Sequence, residues 1–429
     1  MNIPRVDLPR IVVVGCGFAG LKFVQTINSR QYQIVLLDKN NYHTFQPLMY
    51  QVATSGLEPD SITYPIRKIF KGKKRFHFRK TMVEHIDTEK KEVQTTIGPI
   101  EYDHLVVAVG ATNNFFGNQD VEEYAVPMKS LTESLQLRSM ILQNFEEALN
   151  TSNIDEQNRL MNFVIVGGGA TGVELAGALA ELKAHVLPND YPDLDIRRME
   201  IHLVEGSDAV LGAMSELASR KSYDFLKKSG VNIWLNTRVE KYDGETVVTN
   251  KENFESKAVI WTAGVKARTL RGLETGGSQN GRILVDDHAR AIAHKDVYVI
   301  GDMAEMRSDK NPRGHAMLAS VAAQQGKWLA SNFNALARKK PTKPFQYKDK
   351  GTMATIGRNK AVVDLKKFSF SGYFAWLTWM FVHLMLLVDY RNRLIVFTNW
   401  AWRYVKYDRG SRLIIREYKR KKKKEETVA

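Results

Sequence analysis

Cysteine is nearly absent: the 429 residues contain one, Cys16. A disulfide framework is therefore excluded, and so is a redox dithiol within the chain. No grouping of cysteine, histidine and carboxylate at metal-ligand spacing is evident, so no metal is expected. No basic-then-apolar leader precedes the apolar stretch that begins at Ile11, which sets the expected location on the cytoplasmic side. Long apolar runs are also scarce. The longest, Tyr373–Val388, has 16 residues and is broken by Thr378 and His383. As a helix it would reach about 24 Å, short of a ~30 Å hydrocarbon core.

Basic charge, in contrast, is plentiful and uneven. The net charge is +15, and residues 351–429 hold 17 Lys/Arg against 6 Asp/Glu, or +11 of it. Such an excess suits nucleic acid, an anionic membrane or an acidic partner. With 44% hydrophobic and 25% charged residues the rest is ordinary for a globular protein of two or three domains.

One pattern occurs twice. Residues 11–38 read as strand, glycine turn, helix, strand, and residues 163–205 repeat the order. Each unit has a later partner strand ending in glycine, VVAVG at 106–110 and AVIWTAG at 258–264. The strand VYVIGD at 297–302 and a helix over 316–336 follow after the second unit has closed. This order predicts an α/β fold with two Rossmann-like domains in a glutathione-reductase-like arrangement. The first is discontinuous (1–116 and 266–345), the second is inserted (117–265), and a C-terminal membrane-anchoring region follows (346–429). Residues 117–160 read as a polar, helical connector.

The two glycine turns carry the chemistry. Gly15, Gly17 and Gly20 follow a strand and open a helix, and Asp38 ends the next strand. The first glycine makes the tight turn, the second lets backbone approach a pyrophosphate, and the third lets helix and strand pack. Gly167, Gly169 and Gly172 repeat the device, with Glu205 ending the following strand. A carboxylate there favours the free 2′-hydroxyl of NAD over the 2′-phosphate of NADP. Two such sites in one chain imply a bound flavin and a diffusible nicotinamide.

With the stretches HTFQPLMYQVAT, GGGATGVELAGAL, TAG and GDMAE, the chain resembles the type II NADH dehydrogenases, the non-pumping NADH:quinone oxidoreductases. The resemblance implies an FAD site in the first unit: Gly15, Gly17 and Gly20 at the pyrophosphate and Asp38 at the ribose. Val83 would lie beside the adenine, Gly110 and Ala111 close to the cofactor, and Asp302 at its ribityl chain or pyrophosphate. It implies an NADH site at Gly167, Gly169, Gly172 and Glu205, with Gly264 beside the nicotinamide. Related enzymes that use redox cysteines are excluded, because His43 and Gln46 stand in the corresponding region and Cys16 lies inside the phosphate turn.

Three further residues are candidates on the quinone side. Glu174 is either a favourable charge in the first turn of a helix or, by the resemblance, a proton-handling group near flavin and quinone. The family pattern Ala-Gln-x-Ala-x-Gln reads Ala319-Ser320-Val321-Ala322-Ala323-Gln324 here, so Gln324 matches and Ser320 replaces the first glutamine. The plain alternative is an amphipathic helix with two polar residues at its exposed edge. The resemblance also implies a homodimer.

The apolar stretch from Tyr373 and the second stretch 394–407, with Trp400 and Trp402 beside Arg403 and Lys406, precede the basic run 419–424. Tryptophan with Lys/Arg suits the headgroup boundary, and each surface cation adds about 1 kcal/mol on an anionic leaflet. A monotopic anchor on the cytoplasmic face of the cell membrane is the expectation, ahead of a single membrane span and of a soluble core helix. Nucleic acid would explain the basic tail but not the tryptophan-rich stretch, so none is expected. The rival functions are a soluble NADH-dependent reductase of a small redox protein and a non-enzymatic flavoprotein.

Overall fold

The computed structural model describes residues 1–273, 281–406 and 410–421. Lys422–Lys424 of the basic run, and Tyr407, lie outside the described residues. The chain forms two compact units: Met1–Thr44 with Thr63–Thr112 and Val265–Asp349, and Phe45–Ile62 with Asn113–Gly264 and Lys350–Ala429.

The first unit is built on a five-stranded parallel sheet. Its strand order is Val297–Val299, His104–Val107, Arg10–Val14, Gln33–Asp38, Phe76–Lys80. Strand Arg10–Val14 is buried along its whole length, and its apolar part, Ile11–Val14, suits a sheet covered on both faces. Helix Phe18–Thr26 packs against helix Ala319–Leu336. The contact is backbone to side-chain-free position, since a Cβ on Gly326 would sit 2.1 Å from the Ala19 carbonyl oxygen.

The second unit repeats the plan with a parallel sheet ordered Val126–Pro127, Ala258–Trp261, Asn162–Val166, Glu200–Val204, Asn232–Trp234. Helix Ala170–His185 follows the second glycine turn. The segment expected to be a polar, helical connector is helical, as Gln119–Tyr124, Leu131–Leu149 and Ile154–Met161, but it is part of the core rather than only a connector. The middle one starts at a Ser130/Glu133 capping box and buries Leu137, Met140, Ile141, Leu142 and Phe145. Its average composition is polar, but its apolar residues recur at helical spacing and form a core stripe.

The C-terminal part of this unit is an antiparallel sheet, Thr352–Gly357, Lys360–Asp364 and Ser369–Ser371, then helices Tyr373–Leu386 and Tyr390–Lys406. Among the described residues no helix is long and apolar enough to cross a membrane. Strand Thr352–Gly357 lies on helix Ala170–His185 at Gly177, whose absent Cβ would fall 2.4 Å from the Ile356 carbonyl oxygen. Gly177→Ala must push helix and strand apart. We expect a stability loss of about 1–3 kcal/mol, read as a lower thermal midpoint; an unchanged midpoint would show that the contact gives way freely.

Candidate active site

In the first unit the strand ending at Val14 turns at Gly15, whose φ is +98°. A side chain at Gly15 would clash with the Ala108 carbonyl at 2.5 Å, and one at Gly20 with the Gly15 carbonyl at 1.9 Å. A Cβ at Gly17 would meet nothing within 4 Å, and Gly17 caps the helix with no side-chain hydrogen bond. The first helical amides therefore face an open cradle, which is an anion site. Asp38 borders it: Oδ2 accepts the Cys16 N–H at 2.6 Å and Oδ1 the Asn40 N–H at 2.7 Å. Burial raises its pKa, against these two hydrogen bonds. Burial also pushes the Cys16 thiol up, so this cysteine is structural rather than reactive.

Val83 begins a strand of the same unit, Gly110 has φ +71° with open space at its Cβ position, and Ala111 is buried. Asp302 sits in a helical turn whose Gly301 N–H donates to Gln325 Oε1 at 2.7 Å. Gln325 was not singled out in the sequence. Its neighbour Gln324 turns the other way: Oε1 accepts the Lys348 N–H at 3.0 Å and Nε2 donates to the Lys348 carbonyl at 2.9 Å. Ser320, one turn earlier, shares a 3.0 Å hydrogen bond with the Tyr347 hydroxyl. Ser320 and Gln324 thus lie on one helix face and hold the 347–348 segment. Glu174 belongs to the other unit.

The second unit carries the second cradle. Gly167 has φ +109° and would meet Ala263 Cα at 2.7 Å; Gly172 would meet the Gly167 carbonyl at 1.9 Å; Gly169 opens onto free space. Glu205 Oε2 accepts the Gly168 N–H at 2.5 Å, and Oε1 accepts the Ser207 N–H and hydroxyl, each at 2.7 Å. Gly264 has φ +132° and faces the Phe116 ring, which would stand 2.9 Å from its Cβ. Phe116 is 68% exposed and also at positive φ, and the sequence reading missed it.

Helix Ala170–His185 leads from this cradle to a cleft whose walls include Glu174, Thr355, Trp376, Trp379 and Met380. Glu174 is 8% exposed. Burial raises its pKa to about 8; the Thr355 N–H, 3.4 Å away, and the Trp379 side chain oppose the rise. It is thus a buried carboxyl that keeps its proton at pH 7, not a solvated helix-start charge. Trp379 stacks on His383 with 4.2 Å between centroids, and burial lowers the His383 pKa to about 4, so that ring is neutral too. Tyr50 and Gln51 also line the cleft, and Arg358 lies 3.9 Å over the Tyr404 ring. Tyr50 and Gln51 entered the sequence reading only as part of a family stretch.

The family model described as pyridine nucleotide-disulphide oxidoreductase matches residues 9–326, and the one described as the NDH2 C-terminal domain matches 350–406. The type II NADH:quinone oxidoreductase Ndh of Mycobacterium tuberculosis is 33% identical over 418 residues, covering 94% of this chain and 89% of that protein. This chain belongs to the type II NADH:quinone oxidoreductase family. A mitochondrial internal alternative NAD(P)H-ubiquinone oxidoreductase A1 of Arabidopsis thaliana is 29% identical over 439 residues, 93% of this chain and 84% of that one. The structure of NDH2 from Plasmodium falciparum in complex with NADH shares the fold, with a TM-score of 0.88, 21% identity and coverage of 95% and 100%.

Because the Glu174 pKa is raised on folding, from 4.5 to about 8, the neutral acid favours the folded form. That contribution is complete below pH 4.5 and is lost as pH rises through 8. We expect a protonated-carboxyl infrared band that disappears around pH 8 and is missing in Glu174→Gln. A Glu174 already ionised at pH 6 would contradict the burial argument.

Proposed function

We infer that this chain oxidises NADH at its second glycine cradle and reduces a membrane quinone, with FAD as its resident cofactor and without pumping protons. The observation that carries the reading is Glu174, a buried carboxyl with a raised pKa two residues past the last cradle glycine, in the wall of a cleft that Trp376, Trp379, Met380 and Trp400 also line. The overall change is NADH + H⁺ + quinone → NAD⁺ + quinol. FAD, when bound, supplies the two-electron relay between the nicotinamide and the quinone.

The chain's own residues bind, orient and deliver protons. The open Gly17 cradle, the uncapped helix start and the Asp38 carboxylate fit the pyrophosphate and ribose of FAD. In this assignment Gly15 and Gly20 shape the turn, Val83 borders the adenine, Gly110 and Ala111 allow close approach, and Asp302 meets the ribityl or pyrophosphate groups. Residues 1–116 and 266–345 form the FAD-binding domain in this reading, and 117–265 the NADH-binding domain. Gly167, Gly169 and Gly172 take the NADH pyrophosphate, Glu205 its ribose hydroxyls, and Gly264 leaves room for the nicotinamide. Glu205 is already fixed by Gly168 and Ser207, so its carboxylate is preorganised for a neutral hydroxyl and repels a 2′-phosphate. Glu174 holds one proton for the quinone oxygen. Ser320 and Gln324 are assigned to the quinone side on the family likeness of segment 319–324 alone.

The C-terminal helices present Phe374 (74% exposed), Phe381, Tyr390, Leu394, Phe397 and Trp402 to solvent. Lys366 and Lys367 precede them, and Arg391 and Arg393 lie among them in the second helix. This ridge supports monotopic attachment to an anionic membrane, at the cytoplasmic face of the cell membrane, and the same region is the proposed homodimer contact. A docking site for a soluble redox protein would not need the exposed aromatic row.

Rapid mixing with NADH under anaerobic conditions should bleach the flavin, and a short-chain quinone should restore its colour; failure of the quinone to do so overturns the reading. Glu174→Gln should slow quinone reduction by about 100-fold or more. The wild-type rate should fall as pH rises through 8, and the variant should lose that limb. Phe374→Glu combined with Phe381→Glu should release the protein from anionic vesicles, measured by co-sedimentation.

A further inference from the structure

The cleft that Glu174 lines also contains a hydrogen-bond chain whose direction is fixed by its chemistry. Gln51 Oε1 accepts from the Trp400 indole N–H at 2.9 Å and from Arg403 Nη1 at 3.3 Å. Indole and guanidinium nitrogens only donate, so the amide atom facing them must be the oxygen. The Gln51 NH₂ group is thereby turned to the Tyr50 hydroxyl, to which it donates at 2.8 Å. Tyr50 and Gln51 are both buried. The Arg403 guanidinium reaches this position over Gly56, where a Cβ would stand 2.7 Å from Nη1.

An amide NH₂ cannot accept, so the Tyr50 oxygen must, and its own proton must point elsewhere. No described residue accepts that proton, although Tyr50 and Glu174 both line the cleft. Burial, with the Glu174 carboxyl adding to it, pushes the Tyr50 pKa well above its usual value, so the phenol keeps its proton. The groups that line the cleft therefore include a phenol that keeps its proton, Tyr50, and a carboxyl whose pKa burial raises, Glu174.

We propose that Tyr50 is a catalytic residue that donates a hydrogen bond to a quinone carbonyl oxygen, and that Gln51, held by Trp400 and Arg403, is the positioning residue that aims it. This rests on reading the cleft as the quinone site. The hydrogen bond stabilises the negative charge that grows on the oxygen as electrons arrive. Tyr50 transfers no proton; the bond to hydrogen that forms on the quinone draws its proton from Glu174 or water.

The test compares Tyr50→Phe, Gln51→Glu and Met380→Trp in the intact FAD-loaded protein, with a short-chain quinone and ferricyanide as acceptors. Ferricyanide takes single electrons and needs no such hydrogen bond. Thermal melting and flavin absorbance report on folding. Tyr50→Phe should lower the quinone-to-ferricyanide rate ratio by at least tenfold and weaken binding of the quinone, read by tryptophan fluorescence. Gln51→Glu leaves Tyr50 in place, but its introduced carboxylate offers the phenol an acceptor and turns the proton away from the cleft. It should therefore lower the ratio as Tyr50→Phe does, which a purely structural role for Gln51 does not require. Met380→Trp fills the cleft and should block the quinone. If it blocks while both other variants keep the wild-type ratio, the role of Tyr50 is wrong. If Met380→Trp leaves quinone reduction unchanged, the cleft is not the quinone site and the functional reading falls with it.

Discussion

The second unit depends on how closely helix Ala170–His185 meets strand Thr352–Gly357. Gly177 has no side chain, so the helix seats directly against the Ile356 backbone. That contact brings the Thr355 amide to Glu174 and covers the carboxyl with the C-terminal sheet and Trp379. Burial, not a neighbouring charge, is the first cause of the raised Glu174 pKa. One helix thereby begins as a nucleotide cradle and continues, one turn on, as part of the wall of the cleft.

The two cradles were the most legible part of the molecule. Their glycines are demanded by local geometry: positive φ at Gly15 and Gly167, and sub-2 Å clashes for any side chain at Gly20 and Gly172. Geometry so local appears in the sequence as fixed spacing, and Asp38 and Glu205 follow from where the next strand ends. The apolar runs of the parallel strands were legible for the same reason. The burial of helix Leu131–Leu149 was not, because average polarity hid a buried stripe that only its helical period reveals.

The cleft was legible only through family likeness. Glu174 is neutral because a sheet about 180 residues later covers it, and no window around Glu174 contains that information. Gln51 takes its partners from Trp400 and Arg403, some 350 positions away. Gln324 and Gln325 show the opposite difficulty. They are adjacent and chemically identical, yet the helix turns one to Lys348 and the other to Gly301. Only the buried stripe of Val321, Gln325 and Leu329 distinguishes them.

The account places the quinone in the cleft beside Glu174, and photolabelling tests this most directly. A photoreactive quinone would be irradiated with the NADH-reduced protein bound to vesicles, and the labelled peptides mapped by mass spectrometry. The account predicts adducts in the helix segment holding Trp376, Trp379 and Met380 and in the segment around Tyr50, suppressed by excess unmodified quinone. Competable labelling confined to other segments, with these two untouched, would contradict it.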